Sequence, residues 1–276
     1  MFVSKTLQNW NEIRKYESHG WLYRGQRLAG WTLQTSLERC CDGQKIDAAN
    51  RKIVEDELSR EFRRAYHQYS QHLPQPESIL EWLSLMQHHG APTRLLDFTY
   101  SIYVAAYFAL ETATASDGGC AVWALDGPWA LDGSVKALDK AGKLEAERLL
   151  ERPLEGYEKV VHELWFKEPH AKAACPLNPF RLNERLRIQK GAFLVPGDVQ
   201  ASFMENLEAL PGHNEAAHVV KIVIPFELRR EALRELFQMN VTRTSLFPGL
   251  DGYAQSLGIY HPVFEGREWL SGQGSP

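Results

Sequence analysis

Residues 100–114 are apolar on almost every side of a helix, and this stretch constrains the fold more than any other. A helix that is apolar all round is expected inside the core. The segment before it, residues 87–99, is polar, and it contains Gly90 and Pro92, which favour a turn. A polar turn between apolar helices predicts one of two things. It is either a hydrogen-bonded structural corner or a site held on a rigid support.

Helical patterns flank this corner. Residues 47–71 carry apolar side chains at helical spacing, and residues 77–88 form the next helix, with Gly90 as its left-handed cap. The helix over residues 100–114 can be capped at its start by Asp97, Thr99 or Ser101. A capping role for Asp97 is therefore an alternative to any catalytic role.

Strand patterns occur between the helices without a repeated βαβ order. Buried strands are predicted at residues 21–23, 120–125 and 218–225, and the last third of residues 183–195 is predicted as another. Weak alternation in residues 31–37 predicts one further extended piece. The mixture predicts an α+β protein with a mixed or antiparallel central sheet flanked by helices. We expect a single domain over residues 1–276, with its core at about 15–260.

Composition restricts the class of protein. The 276 residues carry a formal charge of −4, so nothing attracts nucleic acid globally, although a local basic groove remains open. The four cysteines form no C-x-x-C pair and are interpreted as free thiols of a reducing compartment. The amino-terminal residues lack the apolar region of a signal peptide, and no stretch approaches about 18 uninterrupted apolar residues. These features predict a cytoplasmic protein with no membrane partner.

Common cofactor motifs are missing from the sequence. His162 and Glu163 begin an H-E-x-x-H pattern, but Phe166 stands where the second histidine is required, so no metal site is predicted. The chain has neither a P-loop nor a G-x-G-x-x-G segment. Any bound phosphate must therefore be held by side chains.

Three polar clusters stand out against the apolar background: Tyr23-Arg24-Gly25-Gln26, residues 87–99, and Arg187-x-Gln189-x-Gly191. Arginine offers a planar, permanently charged fork that suits phosphate. Histidine side chains can accept a proton near neutral pH, so His89 can act as a base, and Asp97 can orient His89 or Arg94. If these clusters converge, they suit a phosphate-bearing ligand such as a nucleotide.

The clusters, in this order, look like an FRG domain, a family named for its (F/Y)-R-G triplet. The matching segments are Tyr23-Arg24-Gly25, the stretch from Gln87 to Asp97, Arg187-x-Gln189-x-Gly191-x-Phe193, and Phe247-Pro248-Gly249-Leu250-Asp251. The resemblance covers roughly residues 15–260. FRG domains are widespread in bacteria and phages, and the family name implies no single activity, although a toxin or phage-defence role is one expectation.

The triplet at a strand end also resembles the first motif of arginine-type ADP-ribosyltransferases, whose arginine holds NAD phosphate. This similarity implies an ADP-ribosyltransferase-like fold. Thr35-Ser36 is only a partial match to the Ser-Thr-Ser strand of those enzymes, and no Glu-x-Glu or Gln-x-Glu lies on a late strand. Asp97 would have to supply the missing carboxylate.

The resemblance implies an NAD-using transferase or glycohydrolase that acts on a protein or nucleic-acid target. The implied catalytic residues are His89, Arg94 and Asp97, and the implied NAD-binding residues are Tyr23, Arg24, Gly25, Gln26, Thr93 and Gln189. Three alternatives remain open. The same residues can form a non-catalytic nucleotide- or nucleic-acid-binding module, a phosphodiesterase with His89 as its base, or a buried polar network that only fixes the fold.

Overall fold

Seven strands make up one sheet in a computed structural model that describes residues 2–71, 73–151 and 156–259. The strands are β1 (Val3–Thr6), β2 (Trp21–Gln26), β3 (Leu96–Thr99), β4 (Gly119–Asp126), β5 (Ala174–Leu177), β6 (Gly191–Pro196) and β7 (Val219–Pro225). Their order is β1-β7-β4-β2-β3-β6-β5. The β1–β7 pair is parallel and the other described pairs are antiparallel, which confirms the predicted mixed sheet.

Helices cover both faces of the sheet. They are α1 (Ser36–Gly43), α2 (Arg51–Tyr66), α3 (Ile79–His88), α4 (Ile102–Leu110), α5 (Gly127–Lys140), α6 (Arg148–Glu151), α7 (Tyr157–Val161), α8 (Glu184–Ile188), α9 (Phe203–Glu208), α10 (Arg229–Gln238), α11 (Arg243–Leu246) and α12 (Leu250–Ser256). One core lies between the sheet and α3, α5, α7 and α9, and the other lies against α4 and α10. The chain is an α+β domain, as predicted. No helix in the described ranges is long and apolar enough to cross a membrane.

The predicted burial of residues 100–114 is confirmed in α4, where Ala105, Ala106 and Ala109 are fully buried. Gly25 allows this helix to lie directly on β2. A Cβ atom at Gly25 would lie 2.0 Å from the main-chain oxygen of Ala105. Because only glycine lacks that atom, the glycine of the Tyr-Arg-Gly triplet sets the distance between the central helix and the sheet.

Residues 87–99 differ from the predicted corner. Gly90 has the left-handed φ of +85° expected of a helix cap, but residues 96–99 form the interior strand β3 rather than a loop. The Oγ of Ser101 accepts the hydrogen bond that caps α4. The capping interpretation of Asp97 is therefore wrong.

Two other local predictions were wrong, and two strands were not predicted. Residues 31–37 are not an extended piece, because Thr35 forms a capping box that starts α1 at Ser36. Gln189 terminates α8 instead of lying on the following strand, so it does not share a strand face with Gly191. The short edge strands β1 and β5 had no predicted counterpart. The predicted core limit near residue 260 lies outside the described residues.

Candidate functional site

The centre of the sheet is split between β2 and β3. The two strands share a single bridge, between Tyr23 and Thr99. Beyond it, β2 continues to pair with β4 and β3 continues to pair with β6, but β2 and β3 no longer pair with each other. A split of this kind leaves main-chain polar groups exposed within the sheet, which is a suitable place for a ligand.

Arg24 reaches across the split. Its Nη1 donates a hydrogen bond of 2.6 Å to the main-chain oxygen of Asp97. Its Nε is buried and has no hydrogen-bond partner among the described residues. Burial lowers the pKa of Arg24, the charge of Asp97 opposes that shift, and the nearby charge of Arg39 adds to it. Because a guanidinium keeps its proton in proteins, Arg24 is a half-buried cation with a donor to spare.

Three neighbouring cavities share lining residues, and Arg24 lines two of them. The inner pocket, of about 180 Å³, is lined by Tyr23, Arg24, Gly25, Asp97, Phe98, Thr99, Ala105, Phe108, Arg185 and Gln189. The outer groove, of about 710 Å³, shares Arg24, Gly25 and Phe108 with it. The side recess, of about 50 Å³, shares Asp97, Arg185 and Gln189 with the inner pocket. Together they form one cleft on both sides of the triplet.

The outer groove is basic and partly aromatic. Arg24, Arg27 and Arg39 line it, and no aspartate or glutamate is among its lining residues. Arg27 is paired at 3.1 Å with Asp117, and Nη1 of Arg39 is bonded to the main-chain oxygen of Gln34. The indole of Trp31, half of which is exposed, stands at the same groove. Arginines beside an exposed aromatic ring are the combination that binds phosphate and stacks a base.

Asp97 is the acidic residue that lines both the inner pocket and the side recess. Its side chain is exposed on β3, and its carboxylate has no hydrogen-bond or ion-pair partner in the part of the chain that the structure describes. Arg24 binds the main-chain oxygen of Asp97 instead of its carboxylate. The carboxylate is thus free to face a ligand.

Gln189 joins β3 to α11 at the floor of the inner pocket. Its main-chain oxygen accepts a hydrogen bond of 2.7 Å from Thr99 Oγ1, and its Nε2 donates to the main-chain oxygen of Leu246 at 3.1 Å. Phe247, which follows, lies beneath the guanidinium of Arg185 at 4.7 Å and edge-on to Phe108 at 5.9 Å. The Phe-Pro-Gly segment therefore supports the pocket from behind.

Five of the predicted site residues come together in the inner pocket: Tyr23, Arg24, Gly25, Asp97 and Gln189. Tyr23 and Gln26 do not present free polar groups. The Tyr23 hydroxyl donates to the main-chain oxygen of Tyr16 at 2.8 Å, and burial raises its pKa. Both ends of the Gln26 amide are bonded, to Trp123 Nε1 and to the main-chain oxygen of Thr32.

Arg94 and Thr93 lie outside the cleft. The Nε of Arg94 donates to Glu55 Oε1 at 2.7 Å, its Nη2 bonds the other oxygen, and both side chains are almost completely buried. Thr93 is fully buried and bonded to Gln87 and Ser36. A buried ion pair in this arrangement fixes the position of α2 against β3. The structure therefore gives the sequence-predicted catalytic Arg94 a structural environment.

His89 also lies outside the lining of the cleft, and its neighbour takes the expected place. His88 lines the side recess, whereas His89 ends α3 and packs against the His88 ring at 4.9 Å. Burial lowers the pKa of His88, and the positive charges of His89 and Arg185 contribute. Adjacent residues at a helix end point in different directions, and sequence reasoning had no means of choosing between them.

The residues of the cleft that sequence reasoning missed include Arg39, Arg185 and Phe108. Arg39 lies on the exposed side of a short amphipathic helix and has no local signal that separates it from a solvated surface residue. The sequence did mark Arg185 as a candidate, because it stands in the same polar segment as Gln189. Its position two residues before Arg187 on α8 decides which arginine reaches the pocket.

Comparison with known proteins gives one match. The family model described as FRG domain matches residues 19–118, which confirms the resemblance seen in the sequence over that segment. No curated protein and no solved structure matches the chain significantly. The matched segment includes Arg24, Arg39 and Asp97, and it ends before α8.

Proposed function

Residues 19–118 match the FRG domain model, and an arginine-lined cleft opens beside the Tyr-Arg-Gly triplet; we propose that this cleft binds NAD and cleaves its nicotinamide–ribose bond. The observation that carries the proposal is the buried, unpartnered Nε of Arg24 at the junction of the inner pocket and the outer groove. A half-buried cation with a free donor is stabilised by a bound anion. Phosphate is the anion that the rest of the cleft suits.

The pyrophosphate lies between Arg24 and Arg39 in this proposal. Both arginines line the outer groove, the charge of Arg39 lowers the pKa of Arg24, and no aspartate or glutamate is among the residues that line the groove. Two like charges that share a cavity repel each other until an anion bridges them. A diphosphate has two charged groups and can accept hydrogen bonds from both arginines.

The adenosine half then occupies the outer groove, with its base against Trp31. The nicotinamide riboside half occupies the inner pocket, next to Asp97 and Gln189. Cleavage of the glycosidic bond leaves positive charge on the ribose, and a carboxylate without a competing partner stabilises that charge. The proposal thus uses the cavity on each side of Arg24 for one half of the dinucleotide.

Calorimetric titration with NAD, combined with chromatographic measurement of released nicotinamide, tests the proposal. Arg24→Gln removes the charge, and we expect the affinity to fall by tenfold or more, because a hydrogen bond to a charged group contributes about 1.5–3 kcal/mol. Arg64→Gln is the control, since that side chain is 71% exposed on α2. Equal affinity of the two variants for NAD, or no nicotinamide release by the unaltered protein, contradicts the proposal.

A non-catalytic nucleotide-binding module is the second candidate, and the basic lining of the outer groove favours it. Its signature is binding of NAD and ADP with similar affinity, loss of both in Arg24→Gln, and no release of nicotinamide. The same titrations therefore separate the two candidates.

A further inference from the structure

The side recess next to Asp97 is lined by polar groups without a hydrogen-bond partner among the described residues, and one of them, His88, does not line the inner pocket. Most of its polar lining is already bonded. Asn183 Nδ2 donates to Ser84 Oγ at 3.3 Å, Asn183 Oδ1 accepts from the main-chain nitrogen of Leu186, and Gln87 accepts from Thr93. The His88 ring, the Asp97 carboxylate and the Arg185 guanidinium have no hydrogen-bond partner among the described residues.

The recess is small. Its volume is about 50 Å³, against about 180 Å³ for the inner pocket. A water molecule takes roughly 30 Å³ in the liquid and needs two to four polar partners. The recess therefore accommodates one water, or a group as small as a methyl alcohol. It has no room for a guanidinium on a side-chain stem.

The recess and the inner pocket meet at Asp97, Arg185 and Gln189, which line both. A molecule held in the recess is thus adjacent to whatever Asp97 contacts in the inner pocket. His88 lines the recess but not the inner pocket. A small molecule in the recess can therefore contact the imidazole and also lie next to the proposed ribose site.

We infer that the side recess holds the attacking water and that His88 is its general base, so that the reaction is hydrolysis of NAD. This inference rests on the proposed function. The water oxygen forms a bond to C1′ of the nicotinamide ribose while the bond from C1′ to the nicotinamide nitrogen breaks. The electron pair of that bond leaves with nicotinamide, which departs neutral. The proton of the water passes to a ring nitrogen of His88 and then to solvent, and the products are ADP-ribose, nicotinamide and one proton.

The electrostatic surroundings of His88 favour this role. Burial, His89 on the same helix and Arg185 on α8 all lower the pKa of His88, and Asp97 on β3 is the negative group that lines the recess with it. An imidazole with a lowered pKa is unprotonated at neutral pH, and that is the form that accepts a proton. Since the folded-state pKa lies below 6.5, the turnover number should fall as the pH drops below that value.

The test measures nicotinamide release against pH for the unaltered protein and for His88→Gln. We expect the turnover number of His88→Gln to fall on the order of 100-fold, because a general base contributes about 10²–10⁴-fold. KM for NAD should stay within about twofold, since His88 does not line the NAD pockets. The fall in turnover below pH 6.5 should disappear in this variant. His67→Gln, an exposed histidine on another helix end, is the control and should behave like the unaltered protein.

Two further measurements address base and recess separately. Added imidazole should restore part of the activity of His88→Ala, which a purely structural role would not allow. Methanol should compete with water and give methyl ADP-ribose, whereas agmatine, which carries a guanidinium, should give no adduct. An unchanged turnover number and pH profile in His88→Gln overturns the role of His88, and an agmatine adduct overturns the role of the recess. Absence of nicotinamide release by the unaltered protein overturns the proposed function and this inference together.

Discussion

The guanidinium of Arg24 binds the main-chain oxygen of Asp97 at 2.6 Å and leaves the Asp97 carboxylate unpaired. If the antiparallel ladder continued beyond Tyr23 and Thr99, strand groups would use that oxygen instead. Arg24 therefore takes the place of a missing strand contact and keeps its charge at the cleft. This contact separates the role of the Asp97 main chain from the role of its side chain, so that each can be tested alone.

Asp97→Asn removes the charge of the carboxylate and retains the main-chain oxygen that Arg24 binds. We expect NAD affinity to change less than tenfold and the rate of nicotinamide release to fall on the order of 100-fold, as for other electrostatic groups that act on developing charge. Single-turnover measurements of release are the readout. Asp132→Asn, whose side chain is 59% exposed on α5, should keep the normal rate. A loss of affinity with an unchanged rate would assign Asp97 to binding alone.

Trp31→Ala should weaken binding of NAD while leaving nicotinamide mononucleotide unaffected. The indole lines the outer groove and not the inner pocket, and stacking of one base contributes about 1–3 kcal/mol. Titration of both ligands into both proteins gives the comparison. Equal weakening of the two ligands would place the base elsewhere, because the mononucleotide has no adenine.

Gly25→Ala should destabilise the fold through the contact between β2 and α4. The new methyl group would lie 2.0 Å from the oxygen of Ala105 and 2.6 Å from the nitrogen of Ala109, and neither main-chain atom can move alone. We expect a loss of about 3 kcal/mol, at the upper end of overpacking costs. Gly30→Ala is the matched control, since nothing lies within 4 Å of its added atom. Similar urea midpoints for the two variants would show that α4 adapts.

Arg94→Leu should lower the free energy of unfolding without acting on the ligand directly. It leaves Glu55 as a buried carboxylate without its partner, which costs about 3–5 kcal/mol. The double variant with Glu55→Leu should recover much of that loss, because no charge remains buried. Denaturant titration of the unaltered protein, the two single variants and the double variant measures the coupling energy between Arg94 and Glu55. If Arg94→Leu kept full stability but no longer bound NAD, Arg94 would have a direct role in the binding site.

Local patterns in the sequence identified several of the main helices. Helical spacing located α2 and α3, and an apolar run located α4 and its burial. Strand β3 was missed because its four residues follow a turn and become a strand only by pairing with β6, almost a hundred residues later. Its state depends on a distant partner, and local propensity carries no information about that partner.

The same limit applies to the site. Arg24 and Gln189 were identified because they stand in compact polar motifs, and they line one pocket. Arg94 stands in an equally polar motif, but a glutamate 39 residues earlier in the chain neutralises it. Motif membership marks a polar residue as important, and only its three-dimensional neighbours decide whether its importance concerns ligand or fold.

The split between β2 and β3 determines how the protein can be truncated. Each of these strands takes its long ladder from a strand outside residues 19–118, β2 from β4 and β3 from β6. A fragment cut at the limits of the family match would retain two strands joined at one bridge, with every other edge open. Open edges of this kind aggregate. The smallest independently folding fragment must therefore extend at least through β6 at Pro196, and expression trials that use the match as a boundary should yield insoluble material.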